Sequence, residues 1–273
     1  MVEETKRDHK QIVRAEFTRQ ADAYAASPSI VNPDRIERLI NLIDPIPDWR
    51  ALEVATGPGH VAIALALRCR EVIGVDLTDA PIEIAKRLTK DRALSNISFQ
   101  VCDADRLPFQ NGEFDLVVCR FAFHHFENAI RTLEEMCRVL RPGGILAVED
   151  LVTSEHPERA AYQNRIEQLR DSSHTRALPL SELVTLIASA RIEIESFHAD
   201  QLTPDVETWL AVTQTRPEVA DRVREHLERD RVNDLSGLSP FLHEGRMFFT
   251  QRTVAIVGRK LSPLRTAPAK SMA

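Results

Sequence analysis

Leu52-Glu53-Val54-Ala55-Thr56-Gly57-Pro58-Gly59-His60-Val61-Ala62 is the stretch on which the reading of this chain turns. ALEVA (51–55) is a short apolar run that ends in a glycine turn, and HVAIALALR (60–68) continues with helical character. Glycines in such a turn let the backbone approach a ligand, because no Cβ intervenes. The helix that follows offers unpaired N–H groups and a positive dipole end to an anionic group. Asp76 closes the next apolar run, EVIGVD (71–76), about 20 residues beyond the glycines. An acidic side chain there can accept hydrogen bonds from ribose hydroxyls.

Moving outward, the same alternation repeats. The helix APIEIAKRLTKDRA precedes a third strand at 97–102, FDLVVCR (114–120) reads as a fourth, and a helix from Asn128 to Leu140 follows. RPGG (141–144) reads as a turn and ILAVED (145–150) as the fifth strand. Strands alternating with helices predict a parallel sheet covered on both faces, and right-handed crossovers make it doubly wound. Upstream, residues 8–27 read as one helix ending before Pro28, and a second runs from Pro33 to Leu42, stopped near Pro45 and Pro47. Downstream, residues 158–171 and 180–190 are helical, 191–197 looks like a strand, 205–230 holds two short helices, and MFFTQRTVAIVG (247–258) reads as one closing strand.

The glycine turn with Asp76 also satisfies the fingerprint of a nicotinamide-dinucleotide site, so a nucleoside-containing cofactor is expected before its kind is known. Three further segments narrow the choice. GVDLT ends the second strand, CDADRLPFQNGEFDLVVCR runs from the end of the third through the fourth, and LEEMCRVLRPGGILAVED leads through the fifth. With LEVATGPGHVA they resemble, in order, the motifs of class I S-adenosylmethionine-dependent methyltransferases, in the small-molecule branch that includes the ubiquinone and menaquinone C-methyltransferases. The resemblance runs from Phe17 to Asp150. It departs from the family's usual D/E-x-G-x-G-x-G at Ala55, which replaces the first glycine.

This resemblance implies a Rossmann-like seven-stranded sheet, mostly parallel with an antiparallel last strand, under a helical N-terminal cap. It implies S-adenosylmethionine as cofactor and S-adenosylhomocysteine as product. The implied cofactor residues are Glu53, Ala55, Thr56, Gly57, Gly59 and His60 in the first motif, with Asp76 on the ribose and Leu77 against adenine. Asp103 accepts from the adenine amino group, Ala104 offers its backbone N–H, and Arg120 ends the fourth strand beside the ligand. FTRQADAY resembles the cofactor-covering helix, which puts Phe17 and Tyr24 near the ligand, though each also reads as an ordinary helix-face aromatic. The expected organisation is one domain over 1–260: a cap at 1–50, a cofactor core at 51–152, a substrate-side helical region at 153–245 with a core strand near 191–200, and a final strand at 246–259. Residues 261–273 read as a disordered tail.

Methyl transfer is an in-line displacement in which the protein aligns a nucleophile and excludes water. A hydroxyl or acidic carbon must also lose a proton, which suits a histidine base at neutral pH. The loop after the fourth strand carries His124-His125, and strand ends line the crevice of such a sheet. Adjacent residues cannot point the same way, so His125 is expected to face the site and His124 to support it. Asp150, ending the fifth strand, is the candidate carboxylate to orient a histidine or bind substrate. Arg170, His174 and Arg176 cluster in LRDSSHTRALP (169–179) as candidate substrate contacts, with Arg170 or Arg176 suited to a carboxylate or phenolate, although solvated surface charge is the first reading of such a cluster.

Composition bounds the rest. A net charge of −6 over 273 residues, with no basic stripe, disfavours nucleic acid as substrate. No apolar run approaches the roughly 20 residues of a membrane span, and MVEETKRDHK lacks a signal's apolar core, so a cytoplasmic protein is expected. The four cysteines show no metal-type spacing, and no metal is expected. Neither tyrosine is followed by lysine at the Tyr-x-x-x-Lys spacing of a short-chain dehydrogenase. The expected function is methyl transfer to O, N or C of a small molecule. A non-methylating sensor or partner protein of the same fold is the second reading, and an NAD(P)-dependent oxidoreductase the third. A homodimer is compatible with the sequence, which fixes no oligomeric state.

Overall fold

The computed structural model describes residues 8–262. Four helices come first: α1 (His9–Arg19), α2 (Ala21–Ala25), α3 (Pro28–Val31) and α4 (Pro33–Ile43). Strands and helices then alternate as β1 (Arg50–Val54), α5 (His60–Ala66), β2 (Glu71–Asp76), α6 (Asp79–Asp91), β3 (Ile97–Val101), β4 (Phe114–Arg120), α7 (Ala129–Val139) and β5 (Leu140–Thr153). The remainder holds α8 (Pro157–Arg170), β6 (Leu178–Pro179), α9 (Leu180–Ser189), β7 (Ile192–Leu202), α10 (Val206–Val212), α11 (Pro217–Asn233), β8 (Phe241–His243), β9 (Arg246–Phe248) and β10 (Gln251–Lys260).

Seven strands form the main sheet in the order β3-β2-β1-β4-β5-β10-β7, and β6 pairs with the end of β5. β1 to β5 are parallel neighbours, and β10 runs antiparallel to both β5 and β7. This is the expected mixed α/β sheet with an antiparallel last strand. Strand order reverses between β1 and β4, and the crevice above such a switch point is where a doubly wound sheet binds ligands.

Both faces of the sheet are buried, which is why its central strands read as continuous apolar runs. Leu52 and Val54 point to one face, with Leu133 and Met136 of α7 and Leu183 of α9. Ala51 points to the other, with Leu39 and Ile40 of α4 and Leu65 of α5. A separate core joins Ile166 of α8, Trp209 of α10, Val223 of α11 and Phe249. It gives the helical half a packed wall of its own.

Four local readings are corrected. Residues 8–27 do not form one helix: the chain breaks at Gln20, which is buried, and a further helix starts at Pro28, where proline's fixed φ suits the first helical turn. RPGG is not a separate turn but part of β5, which runs through it with a register shift against β4 between Phe114 and Leu116. A Cβ on Gly144 would meet Leu140 Cδ1 at 2.6 Å and the Asp115 carbonyl oxygen at 2.9 Å, so only glycine lets β5 lie this close. MFFTQRTVAIVG is two strands, because Phe249 leaves the sheet to pack edge-on against Trp209 at 4.8 Å. β9 instead pairs with β8 in a hairpin that the alternation did not reveal. The strand read at 191–197 runs on to Leu202. Of the tail, residues 263–273 lie outside the described residues.

Candidate active site

The turn after β1 sits at the switch point. Gly57 and Gly59 have φ of +53° and +78°, and Ala55 also takes a positive φ of +55°. At Gly59 the conformation is needed twice over, since an added Cβ would lie 2.9 Å from both Ala85 Cβ and the Phe99 ring. Glu53 ties the turn from behind. One of its carboxyl oxygens accepts from the Thr56 hydroxyl at 2.5 Å and from the Ala62 N–H at 2.8 Å. Burial pushes its pKa up to about 7 against those hydrogen bonds. Asp76 closes the front, accepting from the Gly57 and Thr78 N–H groups, each at 2.9 Å. Burial raises its pKa too.

One cavity borders this turn, and a second adjoins the first through Tyr24, Phe121 and His125. The first, of about 90 Å³, is lined by Ala55, Gly57, Asp76, Leu77, Asp103 and Ala104 from the strand ends. His9, Lys10, Val13 and Phe17 of α1 cover it, with Tyr24, Phe121 and His125 at its inner end. Lys10 Nζ pairs with Asp103 at 2.7 Å and Asp105 at 2.5 Å, clasping α1 to the loop after β3. Burial acts to raise the Asp103 pKa, but Lys10 and the Asp105 N–H outweigh it and hold the carboxyl below its ordinary value. A small recess of about 30 Å³ opens from the same turn, between Glu53, Thr56, His60 and Arg120. Arg120 is buried there and donates to Glu149 at 2.7 Å and to the Ile30 carbonyl at 3.0 Å.

The second cavity is larger, about 470 Å³. Its aromatic walls are Tyr24, Phe121, Trp209 and Phe248, and its polar groups include His124, His125, Arg35, Arg170 and Asp171. Arg170 lies over the Trp209 ring at 4.3 Å and pairs at 3.4 Å with Glu167. Tyr24, Phe121 and His125 line both cavities. Phe17 meets Tyr24 and His125 edge-on, at 5.5 and 5.0 Å between ring centres.

The two histidines occupy one 3-10 turn, Phe123–His125, and have opposite surroundings. His124 Nδ1 is 2.5 Å from an Asp150 carboxyl oxygen, and its backbone N–H donates to the other at 3.0 Å. Burial acts to lower the His124 pKa, but Asp150 outweighs it and the group is raised. His125 Nδ1 instead faces the Ser173 carbonyl at 3.0 Å and hydroxyl at 3.1 Å. Burial, and then His124 beside it, push the His125 pKa down to about 4.

Comparison with known proteins bears on what this geometry is for. Residues 52–148 match the family model described as a methyltransferase domain. The chain is 31% identical over 166 residues to the uncharacterized protein YafE of Escherichia coli, covering 61% of this chain and 80% of that one. It is 27% identical over 211 residues to the uncharacterized methyltransferase YcgJ of Bacillus subtilis, covering 77% and 83%. The crystal structure of YcgJ superposes with a TM-score of 0.79 at 26% identity, over 84% of this chain and 99% of that one. This chain belongs to the class I methyltransferases. A demethylmenaquinone methyltransferase of Deinococcus radiodurans is 41% identical over 101 residues, but that match covers only 36% of this methyltransferase and 42% of the relative.

Most of the residues singled out in the sequence gather at the two cavities of this methyltransferase or, for Glu53, Thr56, His60 and Arg120, at the recess beside them. Gly59 shapes the turn from outside them, and Asp150 lies against His124 without lining either. His174 and Arg176 line neither. His174 is buried with Nε2 2.7 Å from the Asn164 side-chain oxygen, and Arg176 is exposed and paired with Glu182. Sequence reading missed Lys10, although Lys10, Val13 and Phe17 fall at the i, i+3, i+7 spacing of one helix face. It also missed Trp209 and Arg35, which no local pattern marks. Among the described residues no cluster of histidine, cysteine and carboxylate groups could hold a metal ion. No described helix is long and apolar enough to cross a membrane.

Proposed function

We propose that this chain transfers a methyl group from S-adenosylmethionine to a small-molecule acceptor, with the cofactor in the first cavity and the acceptor in the second. The observation that carries the reading is that Tyr24, Phe121 and His125 line both cavities, which gives a donor and an acceptor one shared boundary. The donor set fits the cofactor. Asp76 offers carboxyl oxygens to ribose hydroxyls, Asp103 to the adenine amino group, and Leu77 and Ala104 supply the apolar surface between. The recess beside Gly57, His60 and Arg120 suits the amino-acid end. When bound, the cofactor supplies a methyl carbon on a sulfonium, and the chain's residues align an acceptor with it and exclude water.

The acceptor side supports a small molecule over a nucleic acid. Its walls are aromatic and enclosed by α8, α10 and the β8–β9 hairpin, and the chain carries a net charge of −6. Calorimetric titration with S-adenosylmethionine, S-adenosylhomocysteine, NAD and NADP tests the reading. Binding of the first two alone is expected. Binding of NAD alone, or of none of the four, would overturn it.

A further inference from the structure

Two histidines one residue apart invite the question of which can take a proton, and from what. Asp150 settles the tautomer of His124. Its carboxyl accepts the His124 backbone N–H at 3.0 Å and the Leu151 N–H at 2.6 Å, so it is fixed from the main chain while its Oδ1 faces Nδ1 at 2.5 Å. The proton on Nδ1 is therefore donated to Asp150, and the neutral ring carries its lone pair on Nε2. Among the described residues Nε2 has no hydrogen-bond partner. His124 lines the second cavity and not the first. A carboxylate-oriented imidazole that borders the acceptor cavity with its second nitrogen unpaired has the makings of a general base.

We propose that His124, oriented by Asp150, is the base of this site, and that the acceptor is a weakly acidic hydroxyl on an aromatic ring. The proposal rests on the methyltransferase reading above and names its acceptor class. An aromatic ring follows from the cavity, whose walls include Tyr24, Phe121, Trp209 and Phe248. The base argues against a neutral amine, which already presents its lone pair, and for a hydroxyl or acidic carbon, which must lose a proton; of these two the hydroxyl of a phenol is the group an aromatic-walled cavity presents to it. The hydroxyl proton passes to His124 Nε2 and the oxygen lone pair forms the new O–CH₃ bond. The electron pair of the broken S–CH₃ bond stays on sulfur, which becomes a neutral thioether, and the imidazolium then returns its proton to solvent. His125 is less suited to the role, since a group whose pKa is pushed down to about 4 is too weak a base to take up a phenol's proton effectively. The groups around His124 favour its protonated form, Asp150 foremost and then Glu167 and Asp171, while the neighbouring His125 and His174 have lowered pKa values.

The first test needs no turnover. 4-Nitrophenol, buffered below its own pKa, is titrated with the cofactor-free protein and with its S-adenosylhomocysteine complex, and the phenolate absorption band is followed. The wild-type protein is expected to bind it as phenolate. Both His124→Gln and Asp150→Asn are expected to lose the band, with S-adenosylhomocysteine affinity within about 2-fold of wild type as the measure of an intact fold. Binding without ionisation, or no binding by a wild-type protein that still binds S-adenosylhomocysteine, would overturn the proposal and leave the cofactor reading standing. Failure to bind S-adenosylhomocysteine would sink that reading instead.

The second test compares methyl transfer to para-substituted phenols of graded acidity and to matching anilines. His124→Gln is expected to lower kcat/KM about 100- to 1000-fold for the least acidic phenol. The loss should shrink below about 10-fold for 4-nitrophenol, which ionises unaided. An equal loss across the series, or transfer to the anilines alone, overturns the assignment.

Discussion

The two cavities that meet at His125 are built by different means. The first is founded on strand ends whose backbone takes special conformations: Ala55, Gly57 and Gly59 at positive φ, and Asp76 fastened to two N–H groups. The second is made of side chains projected from α2, α8, α10 and the β8–β9 hairpin onto a core of their own. The first is thus coupled to the stability of the sheet, whereas the second can be reshaped with little effect on it.

Substitution at Gly59 tests that coupling most severely. Gly59→Val combines a β-branched residue at positive φ with a Cβ 2.9 Å from Ala85 and Phe99. It is expected to lower stability by about 3–5 kcal/mol in chemical denaturation, and cofactor binding with it. A well-folded variant would break the comparison. The next effect is on pH dependence. The Glu53 pKa is raised by burial from 4.5 to about 7, so the native protein holds an extra proton between those limits. That contribution is fully present below pH 4.5 and is lost as pH rises to about 7, a fall of up to about 3 kcal/mol. Glu53→Gln is expected to remove this slope from the stability–pH curve and to be more stable than wild type above pH 7. An unchanged slope would show that Glu53 does not carry it.

On the acceptor side the expected effects are smaller and of another kind. Trp209→Phe withdraws a ring that Arg170 covers at 4.3 Å and that packs against Phe249. It should lower stability by about 1–2 kcal/mol and raise the acceptor's KM several-fold. S-adenosylhomocysteine affinity measured by calorimetry should stay within about 2-fold, and a larger change would mean the cavities are not separable. Smallest of all, Ala55→Gly relieves a positive φ and restores the glycine usual in the family. It is expected to change stability by no more than about 1 kcal/mol, the relief offset by the looser unfolded chain, and to leave cofactor affinity unchanged.

The same division explains what could be read from the amino-acid sequence. β2 and β4 lie at the residues their apolar runs mark, because a strand buried on both faces needs continuous apolar character and little else. The glycine turn was legible because its conformations demand particular residues. The acceptor side has no such local grammar. Trp209 and Phe249 find each other across 40 positions of sequence, and Lys10 finds Asp103 across 93. RPGG misled for a related reason: Gly144 is there for a close approach to β4, which a string of turn-forming residues does not announce. The roles of His124 and His125 turned on Asp150 and Ser173, neither of which is a chain neighbour.

The 3-10 turn holding those histidines has a consequence for what the loop tolerates. Successive side chains on such a turn are about 120° apart, so one peptide unit separates a ring that touches only the larger cavity from one that borders both. Adding or removing a single residue here would rotate each ring into its neighbour's place and take Asp150 out of reach of Nδ1. The spacing of this segment is therefore more tightly bound than its composition, and a chain that varied its residues freely would still have to keep its length.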